Sequence, residues 1–146
     1  MSSHKLSPYA PVVLRLALAL VYLWFGASQL TDPNAWTGFV PAWASGISGM
    51  SAFTIVHVNG WFEVIAGALL ALGIGVRPVA ALLFLHLAVI AAHLGVTEIG
   101  VRDFGLSMAT LAIALHGDDW FCCLRKNQGN ELIGGKVEGS EALSQQ

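Results

Sequence analysis

The sequence predicts an all-α polytopic membrane protein: a four-transmembrane-helix bundle with a short interfacial helix after the first span. Two observations carry most of this. Of the 146 residues, 55% are hydrophobic and only 11% are charged, whereas a soluble domain carries about 25% charged residues. Four apolar stretches, residues 9–30, 50–72, 78–96 and 101–121, each approach the roughly 20 residues that cross a bilayer as a helix. A third observation is the sidedness of the basic residues. With four spans, Lys5, Arg15, Arg77, Arg125, Lys126 and Lys136 fall on the side of the termini, and Arg102 alone falls on the other. Basic residues collect on the cytoplasmic side, so both termini are expected there.

The first stretch follows "MSSHKLSPYA", which has one Lys and no small-x-small cleavage site after a short core. It therefore reads as a retained helix and not as a signal peptide. Residues 1–8 form a cytoplasmic tail in this scheme, residues 9–123 the transmembrane domain, and residues 124–146 a polar, Gly-rich flexible tail. The fourth stretch is the least apolar, because Arg102 and Asp103 open it and "HGDD" interrupts its end. Cys122 and Cys123 close it on the cytoplasmic side. There thiols stay reduced, and they are either lipidation or redox-sensing sites or simply small boundary residues. A net charge of −2 with no basic patch argues against nucleic acid.

Between the first two spans lies "TDPNAWTGFVPAWASG". Asp32-Pro33 has the form of a helix start, an acid at the cap and Pro in the first helical position. Trp36, Phe39, Val40 and Trp43 then share one face, as expected of a short amphipathic helix lying in the interface. It could also form a lid over the bundle.

Each span carries a polar or small stripe at helical spacing. These are Arg15, Ala19, Tyr22, Gly26 and Gln29 on the first, and Asn59, Glu63 and Gly67 on the second, with Gly60 beside them. On the third they are His86, Ile90 and His93, and on the fourth Asp103, Ser107, Thr110 and Ala114. Lipid cannot solvate such groups, so the stripes must face one another, and the glycines let the backbones approach. Counting depth from the ends of the stretches brings Arg15 level with Glu63. This predicts an ion pair between them, with Tyr22 hydrogen-bonded to it. That pair would either fix helix register or form a proton-responsive or headgroup-binding site.

Nearer the outer face lie Gln29, Asp32, His57, His93, Glu98, Arg102 and Asp103. His57 and His93, at similar depth, could ligate a haem iron or another metal, relay protons, bind a quinone carbonyl, or be ordinary bundle histidines. His86 and His93 are about 10.5 Å apart along one helix, too far to share a metal. Glu98, Arg102 and Asp103 are expected to satisfy one another and cap the fourth helix. His116 has no evident partner. No Cys-x-x-Cys, P-loop, Ser-based triad or iron–sulfur spacing is present, so no chemistry by this chain alone is expected.

Together, "VLRLALALVYLWFGASQLTDP", "FVPAW" and "GWFEVIAGALLALGIGVRPVAALL" resemble the DoxX family of small membrane proteins. The resemblance covers roughly residues 11–118. It rests on Arg15, Phe25-Gly26, Asp32-Pro33, Phe39 to Trp43, Glu63 in the place of the family's intramembrane acid, and Arg77-Pro78. Such proteins often carry a Lys near the end of the first helix, where this chain has Gln29.

The resemblance implies a four-helix protein of a bacterial or archaeal cytoplasmic membrane. It also implies an accessory or quinone-interacting subunit of a redox system, as in thiosulfate:quinone oxidoreductase or terminal oxidase complexes. Partners would then be the lipid bilayer, a membrane or peripheral redox protein, and further copies of the chain. Alternatives are a non-enzymatic assembly or chaperone-like protein and a small transporter. The transporter is disfavoured by four short spans without broken helix pairs.

Overall fold

Helix α1 (Ala10–Thr31) opens with Pro11 in its first turn, where the missing N–H leaves no helical bond unmade. A computed structural model of the chain describes residues 9–117. Residues 1–8 with Lys5, the cysteines Cys122 and Cys123, the basic residues Arg125, Lys126 and Lys136, and the tail 124–146 lie outside the described residues.

After α1 comes a 3₁₀ segment, Pro33–Phe39, then α2 (Ala42–Ser48). The single amphipathic helix expected here is thus two pieces. Val40 precedes Pro41 and is extended, at φ −76° and ψ 123°, because the proline ring disfavours a helical residue ahead of it. Asp32 stands at the expected start, but its side chain makes no capping bond.

Helix α3 (Ala52–Leu72) is capped by Ser51, whose hydroxyl accepts from the Thr54 amide at 3.2 Å. It ends at Gly73, whose φ of 69° suits a residue without a Cβ. A three-residue turn leads to α4 (Val76–Leu94), and Gly95 and Thr97 lead to α5 (Glu98–His116). The cap of α5 is Thr97, accepting from the Gly100 amide at 3.0 Å. The charged cluster itself does not cap the helix.

All regular elements among the described residues are helical. Three of them, α1, α3 and α4, are long and apolar enough to cross a membrane. Helix α5 equals α4 in length, 19 residues, but holds Glu98, Arg102 and Asp103 in its first two turns and is not among the three.

The helices form two intimate pairs, α1 on α3 and α4 on α5, which meet each other more loosely. Gly26 and Gly60 set the register of the first pair. A Cβ on Gly26 would lie 2.7 Å from the Gly60 carbonyl oxygen and 2.9 Å from the Val64 amide nitrogen. Lower down, Gly67 packs on Tyr22, Leu23 and the Ala19 carbonyl. Each step along α1 towards Thr31 is therefore matched by a step along α3 towards Ala52.

The apolar core fills the half of the bundle nearest the termini, with Leu18, Leu70, Val76, Ala80, Leu83 and Ile113 buried. Outward faces carry Leu20, Trp24, Trp61, Ile65, Leu82 and Leu85, as a lipid-facing surface requires. The other half of the bundle, where the helix pairs diverge, holds the candidate site.

Candidate functional site

A cavity of about 730 Å³ opens between the two helix pairs, at the end of the bundle away from the termini. Its walls are mainly apolar and aromatic, and Tyr22, Phe25, Trp36, Phe39 and Trp43 all line it. The 3₁₀ segment and α2 supply the last three, so this connection forms one side of the cavity. Trp36 meets Phe25 edge-on at 5.6 Å, and the Arg102 guanidinium lies 5.0 Å from the centre of the same Phe25 ring. A cation over a ring face is attracted to its quadrupole.

The polar groups converge at mid-bundle. Glu63 is 4% exposed and lines the cavity. Its Oε2 accepts from Gln29 Nε2 at 2.9 Å, and its Oε1 accepts from Asn59 Nδ2 at 3.1 Å. His86 Nε2 lies 3.3 Å from the same Oε1. Asn59 also donates to Gln29 Oε1 at 2.7 Å, which closes a ring of side chains drawn from α1 and α3. A buried carboxylate without partners is strongly unfavourable. Here two amides and an imidazole supply them. His86 is itself braced by Phe62, edge-on at 4.9 Å.

Two further polar contacts involve α5. Tyr22 and Thr110 share a hydrogen bond of 2.9 Å, and Thr110 Oγ1 donates to the Leu106 carbonyl at 2.8 Å. Asp103, 5% exposed, accepts from Arg102 Nε at 2.9 Å and pairs with its Nη2 at 2.9 Å. Arg102 thus turns to the adjacent Asp103, and Glu98 joins no such bond among the described residues.

The expected Arg15–Glu63 ion pair is not formed. Arg15 is 1% exposed, and its Nη1 donates to the backbone carbonyls of Leu70 and, at 2.7 Å, Ala71. The Gly26–Gly60 contact puts Arg15 opposite the C-terminal end of α3. Glu63 lies eight residues before Ala71, about 12 Å along the axis. Tyr22 accordingly bonds to Thr110 and not to that pair.

The histidines divide. His86 and His93 line the cavity, but they flank the packed face of α4, which is Leu83, Leu87 and Ala91. His57 is stacked on Phe53 at 6.0 Å and does not line the cavity, and its Nδ1 is buried without a hydrogen-bond partner among the described residues. His57 and His93 therefore do not frame one site, and the arrangement does not fit a haem held between them. His116 closes α5 in its last turn.

Sequence reasoning did not find His86 as the partner of Glu63, Thr110 as the partner of Tyr22, or Phe25 as a wall of the site. The spacing of Asn59 and Glu63, one helical turn apart, was the available signal for the amide–carboxylate ring.

A protein-family model, DoxX, matches residues 10–96. The match takes in α1 to α4 with Glu63, His86 and the aromatic connection, and it stops short of α5. No curated protein and no solved structure matches the chain.

Proposed function

The chain belongs to the DoxX family and is a small integral membrane protein; from that premise we propose that it binds a quinone as an accessory subunit of a membrane redox system. The observation that carries this reading is a carboxylate and an imidazole at the deep end of a cavity with apolar walls. Such a cavity suits an amphipathic ring with an isoprenoid or alkyl tail. Ligand sites of about 300–1,000 Å³ with a few convergent polar groups are the common form. A bound quinone would supply carriage of electrons and protons. The residues of this chain would bind and orient it. Glu63 and His86 would meet the ring oxygens, Phe25 and Trp36 would flank the ring, and Ile55, Leu85 and Val89 would lie along the tail.

In this reading α5 is the fourth span. It lies along α4 and buries Asp103, Ser107 and Thr110, while Val101, Phe104, Met108 and Leu115 face outward. That is the pattern of a helix with lipid on one side. The excess of Lys and Arg towards the termini supports cytoplasmic termini, which puts the cavity in the outer half of the membrane. The electron-transfer partner is a separate membrane or peripheral redox protein.

Titration of the detergent-solubilised protein with a short-chain benzoquinone tests the proposal. Saturable binding in the micromolar range, about −8 kcal/mol, is expected, with loss of about tenfold or more in Ser28→Phe, which fills the cavity wall. Binding that does not saturate, or that Ser28→Phe leaves unchanged, contradicts it.

A further inference from the structure

Hydrogen-bond accounting at the deep end of the cavity points to a preference for one redox form of the ligand. We infer that the site selects the reduced, hydroxyl-bearing quinol over the quinone, because its groups are left mainly as acceptors. This rests on the quinone reading above.

The donors around Glu63 are largely spent. Both N–H groups of the Asn59 amide are used, one on Gln29 Oε1 and one on Glu63 Oε1. One N–H of Gln29 is used on Glu63 Oε2, which leaves a single amide proton spare. Thr110 gives its one proton to the Leu106 carbonyl, so the 2.9 Å contact with Tyr22 must be donated by the tyrosine. A neutral His86 that donates from Nε2 to Glu63 Oε1, 3.3 Å away, has no second N–H. The other donors on the cavity wall are Arg102, which spends two of its five N–H groups on Asp103, and Ser28, Trp36, Trp43 and His93, none of which bonds to Glu63.

The acceptors are not spent. A carboxylate offers about four lone-pair sites, and Glu63 has three occupied, two on Oε1 and one on Oε2. The Tyr22 oxygen, having given its proton, keeps its lone pairs, and His86 Nδ1 is an acceptor in the same tautomer. A quinone carbonyl can only accept, so most of these groups offer it nothing. A quinol hydroxyl donates, and Glu63 can take that proton in a charge-assisted bond.

Such a bond is worth about a ten- to hundredfold difference in affinity. Tighter binding of the reduced form raises the midpoint potential of the bound couple, by about 30 mV per tenfold.

The test is a pair of anaerobic titrations of wild-type protein, one with a short-chain benzoquinone and one with the corresponding quinol. The expected result is quinol binding tighter by about tenfold or more. Glu63→Gln, which replaces an acceptor oxygen by an amide donor, should bring the two affinities to within about twofold. Equal affinities in wild type, or tighter quinone binding, overturn this inference and leave the quinone reading standing. A quinol preference that survives unchanged in Glu63→Gln also overturns it. Binding of neither form overturns both. The wild-type comparison needs no variant, so a folding defect in Glu63→Gln does not spare the inference.

Discussion

Arg15→Met should lower the stability of the protein by about 3 kcal/mol, seen as a fall in its thermal midpoint in detergent. Leu70 and Ala71 are among the last four carbonyl-bearing residues of α3, which have no partner further along their own helix. The Leu70 oxygen also accepts from the Gly73 amide at 3.2 Å. The Ala71 carbonyl accepts from Arg15 at 2.7 Å. Within a bilayer, water does not replace such a donor. Arg15→Lys should restore part of the loss, since an ammonium donates but lacks the planar fork.

The effects of Arg15→Met and Glu63→Gln should add to within about 0.5 kcal/mol, as for sites about 12 Å apart along the helix axis. A double variant more stable than that sum would reinstate an Arg15–Glu63 ion pair and refute the arrangement described.

Gly26→Val should be still more damaging, because the atoms in the way belong to backbone. The Gly60 carbonyl and Val64 amide stand within 2.9 Å of the Cβ position, closer than real Cβ contacts. Helices α1 and α3 would have to separate. Overpacking a well-packed interior costs about 1–3 kcal/mol, and this site should reach or exceed the upper end. The expected result is a protein that aggregates or loses its monodisperse peak on extraction. Gly38→Val is the control, since nothing lies within 4 Å of its Cβ position. Equal behaviour of the two variants would show that the Gly26–Gly60 contact does not set the register.

That contact also explains what could be read in advance. Helical spacing alone identified the inward stripe of α1, and Arg15, Ala19, Tyr22, Gly26 and Gln29 are all buried. The same holds for Glu63 and Gly67 on α3, and for Asp103, Ser107 and Thr110 on α5. Spacing reports which side of a helix is polar. It does not report how far one helix is slid along another, and that slide sets Arg15 against the Ala71 carbonyl and away from Glu63. The slide depends on two glycines meeting, a long-range fact that neither helix contains by itself.

The α4 stripe was offset for a related reason. His86 and His93 are polar, yet the closest packing on α4 is made by Leu83, Leu87 and Ala91. The helix pairs diverge where the histidines lie, and the histidines border the resulting space. The break before Pro41 was legible from local chemistry but was hidden by the regular spacing of Trp36, Phe39, Val40 and Trp43.

The most direct measurement of the central claim is the quinone content of the protein as it leaves the membrane. Protein purified gently from its native membrane should carry about one extractable quinone per chain, as a largely pre-formed cavity of this size would retain. The Ser28→Phe variant, purified in the same way, should carry much less. Quinone no more abundant than in the accompanying lipid, and equal in the wild type and the variant, would contradict the account.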